Sequence, residues 1–432
     1  MDNRYIVDSM QERPEDNRTR QLARQRNLRR NAPKVAPFAF ILSFGVVSMF
    51  MDVVYEAALS VQGPLLLSLG ASALIVGVVS GLGEATALVG RLFSGPLADK
   101  TGRYWTFAIL GYAATAVAVP AMGFAGSVVG VSVLVVFERF GKSLRTPSRD
   151  AMLSHASVAV GRGKGFAIHE MMDQIGAISG PLIVAAVLSA TGNDYRMALG
   201  FMVIPGAIAI AILLTLRWKA PKPELYEEQS GQAAKLDDAT ASAASKRPTL
   251  KQLAKSLPKK YWMYSLACGT VLAGVATFGI LSYHMVNTGF IAEAFVPVLY
   301  AVAMALDAVF ALITGMLYDR VGSKALRVLP VVCACIPVFA YMDSLAGILA
   351  GVVLWGASLG IQESTMRAAI GDMVPSHSRA SAYGMFSVFV GVGGLVGGVV
   401  SGALYTVCVP ALIVYAICVE IAAMALIFHC TQ

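Results

Sequence analysis

From Pro37 to its end the chain is a succession of long apolar stretches separated by short polar ones. The apolar stretches are continuous rather than two-faced, and many reach the 18 or more residues a helix needs to cross a bilayer core. Twelve spans can be drawn, roughly 37–60, 71–98, 104–124, 128–148, 165–190, 197–217, 262–286, 294–318, 325–342, 346–366, 380–406 and 408–429. Before them, residues 1–36 form a polar tail with Arg18, Arg20, Arg24, Arg26, Arg29, Arg30 and Lys34 leading into the first span. Residues 218–260 mix Ala, Ser, Asp and Lys and are broken by Pro221, Pro223, Pro248 and Pro258, which predicts a linker. The pattern therefore predicts an all-α membrane protein with twelve transmembrane helices in two six-helix bundles, 37–217 and 261–432.

Composition agrees. Of 432 residues, 56% are hydrophobic and 14% charged, far more apolar sequence than a soluble domain of this size needs. The first 36 residues lack an apolar core, so no cleavable signal peptide is expected. The net charge of +8 reads as topology rather than as a nucleic-acid partner. Lys100, Arg103, Arg162, Lys164, Arg320, Lys324, Arg327, Arg379 and the Lys-rich linker fall on one set of loops, with Arg196 nearly alone on the other. That distribution places both termini and the linker in the cytoplasm. The basic tail reads as a positive-inside anchor, with an arm touching anionic headgroups as the functional alternative. Cys268, Cys333, Cys335, Cys408 and Cys418 lie inside apolar segments and Cys430 ends the last, which reads as packing thiols rather than a disulfide framework.

One polar knot stands out between the second and third spans, Gly95-Pro-Leu-Ala-Asp-Lys-Thr-Gly-Arg103, and returns at Gly315-Met-Leu-Tyr-Asp-Arg-Val-Gly322. Asp99 and Asp319 are 220 positions apart, half the chain, which predicts a duplicated bundle with two tight turns on one membrane face. Arg149 and Arg367, and Gly165 and Gly384, continue the repeat.

With these residues the chain resembles the major facilitator superfamily. The signature Gly-x-x-x-Asp-(Arg/Lys)-x-Gly-Arg-(Arg/Lys) is matched at Gly95, Asp99, Lys100, Gly102 and Arg103, with Tyr104 departing from the last position. The second copy matches at Gly315, Asp319, Arg320 and Gly322, with Ser323 in place of Arg. The resemblance implies two six-helix bundles around a central cavity, alternating access, and a gating role in which Asp99, Lys100, Arg103, Asp319 and Arg320 lock helix ends in one state and release them in the other. The drug-exporter mark on the fifth span is only partly present, as Gly176-x-x-x-Gly180-Pro181. The stretch Glu138–Asp150 with His169-Glu-Met-Met-Asp173 is similar to a branch that includes magnetosome MamH-like proteins, regarded as iron transporters.

Ionisable groups inside spans mark candidate chemistry. Asp52 and Glu56, four apart, share a helix face; Glu84, His169 and Asp173 lie in the second and fifth spans. By the resemblance these spans lie close together, so the five residues are expected to converge on one polar chamber that binds substrate cation or protons. Asp52, Glu56 and His169 are the candidate metal ligands, a set that suits a hard or borderline divalent cation such as Fe²⁺ or Mn²⁺. Glu138, Arg139, Lys142, Arg145, Arg149 and Asp150 read as ion pairing in the fourth span, with Glu138–Lys142 as an i,i+4 pair. Lys142, Arg145 and Arg149 form one stripe near the cytoplasmic face. Asp307, Glu363, Arg367, His284 and Glu420 are scattered through the second half.

The expected function is a secondary transporter moving iron or another divalent cation across a bacterial inner or magnetosome membrane. The alternatives are a proton-coupled exporter of small organic molecules or siderophores, and a transporter-like sensor or scaffold. No phosphate-binding Gly-Lys-Ser loop or Gly-x-Ser-x-Gly elbow is present, so no enzyme is expected. No permanently bound cofactor is expected, and a proton or ion gradient is the expected energy source. The expected partners are the lipid bilayer and the transported solute.

Overall fold

The computed structural model describes residues 33–229, 257–342, 344–374 and 379–431; the expected basic tail up to residue 32 and the centre of the expected linker lie outside them. The described residues are helical, without strands. We number the crossing helices α1 (Pro37–Ser68), α2 (Ala73–Thr101), α3 (Tyr104–Phe124), α4 (Val128–Ser157), α5 (Arg162–Thr191) and α6 (Tyr195–Lys219). The second half supplies α7 (Lys259–Asn287), α8 (Val296–Val321), α9 (Val328–Ala340), α10 (Leu345–Met373), α11 (Arg379–Val407) and α12 (Val409–Cys430). Ten stretches among the described residues are long and apolar enough to cross a membrane. One of these runs from Glu293 to Ala340 and holds both α8 and α9, joined by a 3-10 segment at Gly322–Arg327. The other crossing helix, α4, is absent from the ten because it carries a charged cluster.

Local chemistry sets the helix ends. Pro37 opens α1 at a position where its missing N–H costs nothing. Ser72, Ser127 and Ser344 cap α2, α4 and α10 by accepting backbone N–H bonds, and Asp194 accepts two at the start of α6. The helices overrun the predicted spans: α1 continues to Ser68 and α4 to Ser157. The knots are also mostly helix. Gly95–Thr101 forms the last turns of α2, and the turn itself is Gly102, at φ 64°, plus Arg103. In the second copy α8 runs to Val321 and only Gly322, at φ 62° and ψ −148°, breaks it. Those backbone angles are open to glycine and costly for other residues.

Two helices are interrupted. The first segment of α7 ends at Gly274 and its second begins at Phe278. A π-helical turn at Gln362–Met366 interrupts α10. Residues 218–229 are docked rather than free linker. Trp105 Nε1 donates to Ala220 O at 3.2 Å, and Lys34 N to Lys219 O at 2.8 Å. A helical turn at Leu225–Gln229 seats Tyr226 under α1, its hydroxyl donating to Val35 O at 2.7 Å.

The halves meet along α1/α7, α2/α11 and α5/α8. The tightest seam is α2 against α11. A Cβ at Gly77 would strike Gly398 O, one at Gly398 would strike Gly77 O, and one at Gly402 would strike Ala73 O. Spacing of four between small residues lets backbones touch, the main source of helix association where lipid removes the hydrophobic drive. On α1/α7 a Cβ at Gly63 would meet Gly279 O and Ser282 Oγ. All these contacts sit toward the membrane face opposite the two knots. Tyr195 Oη, donating to Glu293 Oε2 at 2.7 Å, adds a polar tie there between α6 and the segment before α8. On the knot face, α4 packs extensively only within its own half. The backbone-to-backbone contacts of the seam thus lie away from the knots, while α2 and α11 stay in side-chain contact down to Leu88 against Gly391 and Leu92 against Gly384.

Candidate solute site between the halves

The fourth helix carries the charges, and α1, α2, α3 and α5 present their partners. Arg139 Nη2 lies 3.1 Å from Glu84 Oε1 and its Nε 3.7 Å from Glu138 Oε2, while its Nη1 donates to Tyr55 Oη. Arg145 donates to Thr115 Oγ1 and to Glu138 Oε1, 3.4 Å away, and Thr115 itself donates to Glu138 at 3.0 Å. Glu138, Arg139 and Arg145 are each 3% exposed, so this is a closed internal network in which every charge has a partner. The expected Glu138–Lys142 pair does not form, because Glu138 is taken up by Arg139, Arg145 and Thr115. Nor is Lys142–Arg145–Arg149 a surface stripe: all three turn inward, and Tyr55 is ringed by Lys142 Nζ at 3.9 Å, Arg139 Cζ at 4.6 Å and Arg145 Cζ at 5.8 Å from its centroid.

A second network joins α5 to α4 and α1. Arg149 reaches Asp150 Oδ1 at 2.9 Å and Asp173 Oδ2 at 3.3 Å. His169 Nδ1 is 3.3 Å from Asp173 Oδ2; its Nε2 is 3.0 Å from Ser48 Oγ, which is 3.1 Å from Tyr112 Oη. Both imidazole nitrogens are thereby occupied.

Asp52, Glu56, Glu84, His169 and Asp173 do gather in one region, but not around one point. Glu84 is bound to Arg139, His169 to Ser48 and Asp173, and Glu56 accepts from Tyr300 Oη at 2.6 Å across the interface. Asp52 packs against Gly176 of α5 and has no hydrogen bond or ion pair among the described residues. The expected metal set of Asp52, Glu56 and His169 is therefore not assembled, and no group of three His, Cys, Asp or Glu placed to hold a metal occurs among the described residues. Asp52 and Glu56 have no base near them in sequence, yet Lys142 acts electrostatically on both, and Arg145 and Arg149 on Asp52. Helix packing, which brings α4 beside α1, supplies those cations.

Sequence reasoning left Tyr55, Tyr300, Gln174 and Arg91 unmarked and placed Asp307 among the scattered residues of the second half. Asp307 of α8 is 3% exposed and accepts from Gln174 Nε2 of α5 at 3.3 Å. Asp307 Oδ1, Gln174 Oε1 and Asp173 Oδ1 are buried without partners. Three cations, Arg91 on α2, Lys142 on α4 and Arg367 on α10, have no ion pair among the described residues, and Arg91 Nε is buried without a partner. All three act electrostatically on Glu363 of α10, and Arg91 and Arg367 on each other across the halves. A polar residue spaced to meet another span is the only signal that could have found Gln174; nothing local marks Tyr300.

At the knots, Asp99 Oδ1 accepts from Tyr104 Oη at 3.0 Å, so the residue that departs from the signature is the aspartate's partner. Lys100, Arg103, Asp319 and Arg320 are exposed, and none makes an ion pair among the described residues. Gly95 faces Pro147 of α4 at ordinary contact distance. The Gly176-x-x-x-Gly180 mark is a packing seam, where α5 lies on Met49 O and Val53 O of α1.

The chain is similar to several known proteins. An uncharacterized protein of Mycobacterium tuberculosis is 45% identical over 396 residues, covering 92% of this chain and 94% of its own length. An uncharacterized MFS-type transporter of Methanocaldococcus jannaschii is 24% identical over 372 residues, 84% of this chain and 87% of the relative. Among solved structures, the nucleoside transporter NupG matches with a TM-score of 0.66 at 18% identity, covering 90% of this chain and 98% of that one. A bacterial homologue of the human lysosomal transporter Spinster, in an inward-facing and unoccupied conformation, matches at 0.64 and 15%, covering 91% and 95%. At these identities the structures show the fold alone. The magnetosome and iron expectations draw no support from these relatives. The family model of the Major Facilitator Superfamily matches residues 36–397 and 289–430. With that match over most of its length, two knots on one face and halves that meet along α1/α7, α2/α11 and α5/α8, the chain belongs to the major facilitator superfamily and is a membrane transporter rather than an enzyme.

Proposed function

We propose that the protein carries a small organic anion between its two halves by alternating access and couples that movement to a proton. The observation that carries the reading is the trio Arg91, Lys142 and Arg367, cations on both sides of the interface that make no ion pair among the described residues and gather around one acid, Glu363. Three cations around one acid leave positive charge that an anion between the halves would balance. A carboxylate or phosphate group between α2, α4 and α10 would draw the halves together on the knot face. Asp52 serves as the proton carrier, because Lys142 of this trio acts on it and it lacks a fixed partner among the described residues. Glu56 and Tyr300 tie the site to the opposite half. Asp99, Lys100 and Arg103, with Asp319 and Arg320, close the knot face once it is loaded. On this reading the knot face, with its positive loops, is the cytoplasmic one. The divalent-cation reading is the weaker one, since Glu56 is held by Tyr300, Glu84 by Arg139 and His169 by Ser48 and Asp173, and no three-residue metal group occurs among the described residues.

The test is uptake into proteoliposomes under an imposed pH gradient, using labelled mono- and dicarboxylates and phosphorylated metabolites. Flux of one class that needs the gradient, and that falls in Lys142→Ala and Arg367→Gln, supports the proposal. Anion flux that is indifferent to both variants overturns it. Radioactive Fe²⁺ flux that falls in Asp52→Ala and Glu56→Ala would put the cation reading in its place, and specific anion binding without flux would favour a sensor.

A further inference from the structure

Glu420 lies midway along α12 and is 1% exposed. Among the described residues neither of its carboxyl oxygens has a hydrogen-bond partner and no cation pairs with it. The titratable groups beside it are Cys333 on α9 and Tyr415 on its own helix. Ser, Thr and Glu are tolerated in buried membrane positions when they find a partner; an unpartnered carboxylate there is costly and marks a function.

What it touches is the interruption in α7. A Cβ added to Gly274 would meet Glu420 Oε1, and would stand 3.0 Å from its Cδ and 3.2 Å from its Cγ. Gly274 is the last residue of the first segment of α7; Val275 leaves the helical region at φ −90° and ψ 126°, and helix resumes at Phe278. A helix that stops leaves carbonyls without intrahelical partners, and Tyr415 Oη already donates to one of them, Ala273 O, at 2.9 Å. Beyond the break, the Phe278 ring stands edge-on to Tyr300 with centroids 4.6 Å apart, and Tyr300 donates to Glu56 at 2.6 Å. An unbroken series of contacts thus leads from a buried acid outside the solute site to an acid inside it.

We propose that Glu420 is a second proton-binding site, in the C-terminal half, whose occupancy sets the break in α7 and thereby positions Tyr300 on Glu56. The ligand is one proton from the aqueous phase; it converts the carboxylate to the neutral acid, and nothing else is exchanged. The loaded state is the one with Glu420 against the broken segment and no cation beside it among the described residues. The neutral acid packs against the broken segment. When the halves rock and α7 moves, the proton is released and the charged carboxylate no longer fits beside Gly274. Glu420 is a positioning residue: it acts on the solute site through α7, Phe278 and Tyr300. The second leg rests on Glu56 belonging to the solute site, and the first does not.

Infrared difference spectra of the purified, reconstituted protein across a pH series test the first leg without any transport. The expected result is a band from a buried neutral carboxylic acid in wild type that is lost in Glu420→Gln, with melting temperature retained. A band unchanged in Glu420→Gln overturns the proposal, and so does the absence of a buried-acid band in wild type. If Glu420→Gln does not fold, Glu420→Asp should shift the same band. The second leg is tested by a double-mutant cycle of Glu420→Gln and Tyr300→Phe on the pH profile of the anchored interface, read as spin-label distances between α7 and α1. Each single variant should flatten the profile and the double variant should add little. Additive effects would show two independent sites and overturn the coupling. Loss of anion flux with the infrared band intact would count against the organic-anion reading alone.

Discussion

The two halves share a fold and differ in what fills them. In the N-terminal half, α4 threads Glu138, Arg139, Arg145 and Arg149 through the interior, and nearly every charge is matched by a neighbour on α1, α2, α3 or α5. In the C-terminal half the interior is apolar and aromatic, with Tyr264 on Phe386, Phe278 on Tyr300 and Trp355, and isolated polar groups such as Asp307 and Glu420. The difference teaches that duplication preserved the backbone plan, its seams and its knots, while the chemistry diverged. One half is held rigid by electrostatics. The other packs by shape, and its interruptions in α7 and α10 are where it can bend.

The sharpest way to break this comparison is to remove an interior charge from the first half. Arg139→Ala leaves Glu84 and Glu138 without their common partner, and a loss of about 3–5 kcal/mol is expected from breaking one side of a buried network. Thermal unfolding in detergent should show it as the most damaging substitution in α4. If Arg139→Ala melts like wild type, the network is ornamental and the contrast between the halves fails.

The next effect is on the seam that both halves share. Gly77→Val places side-chain atoms on Gly398 O, and overpacking of this kind costs about 1–3 kcal/mol. The cost falls on the closed arrangement of the opposite face, so a cysteine placed in the lower part of α11 should become more accessible to a membrane-impermeant thiol reagent. Unchanged labelling would mean that the seam is not the closure.

A smaller and more selective effect separates solute binding from architecture. Lys142 contacts Tyr55 and makes no ion pair, so Lys142→Ala should lower anion uptake at least tenfold, worth about 1.4 kcal/mol, while its melting temperature stays near wild type. Equal loss of stability and transport would move Lys142 into the structural network and leave Arg91 and Arg367 to carry the site.

Tyr195→Phe tunes the comparison more finely. It deletes one hydrogen bond between the halves, to Glu293, and should favour opening of that face by about 1 kcal/mol. Thiol labelling on that face should rise several-fold, without loss of folding. The smallest effect belongs to the second knot. Asp319 is exposed and unpaired in this conformation, so Asp319→Asn should change stability by less than about 0.5 kcal/mol, and any effect should appear only in transport rate.

Much of the fold was legible because membrane helices announce themselves residue by residue. A stretch such as Pro37–Ser68 has to be helical in lipid to satisfy its backbone, whatever its neighbours are. Asp99 and Asp319 marked the duplication, and Gly102 and Gly322 the turns, because a left-handed or extended glycine is a local requirement. The site was legible only as a list. Asp52 was marked by its cost, but whether it stood free depended on α4, which follows it by some eighty positions. Glu138 and Lys142 had the spacing of a pair, and the pair did not form because Arg145 and Thr115 lay closer in space. Asp307 and Glu420 looked alike in the sequence; one faces Gln174 across the halves and the other faces a break in its own half.

By itself, then, the sequence determined the number and course of the spans, the repeat and the family, since each follows from hydropathy and from backbone needs satisfied within a few residues. The tertiary structure alone decided which charges cancel, which stay free, and that Tyr300 meets Glu56 and Glu420 meets Gly274. Those are pairings between helices, and in a bilayer their choice is set by close packing of small residues at the seams, a property of two surfaces together and of neither one alone.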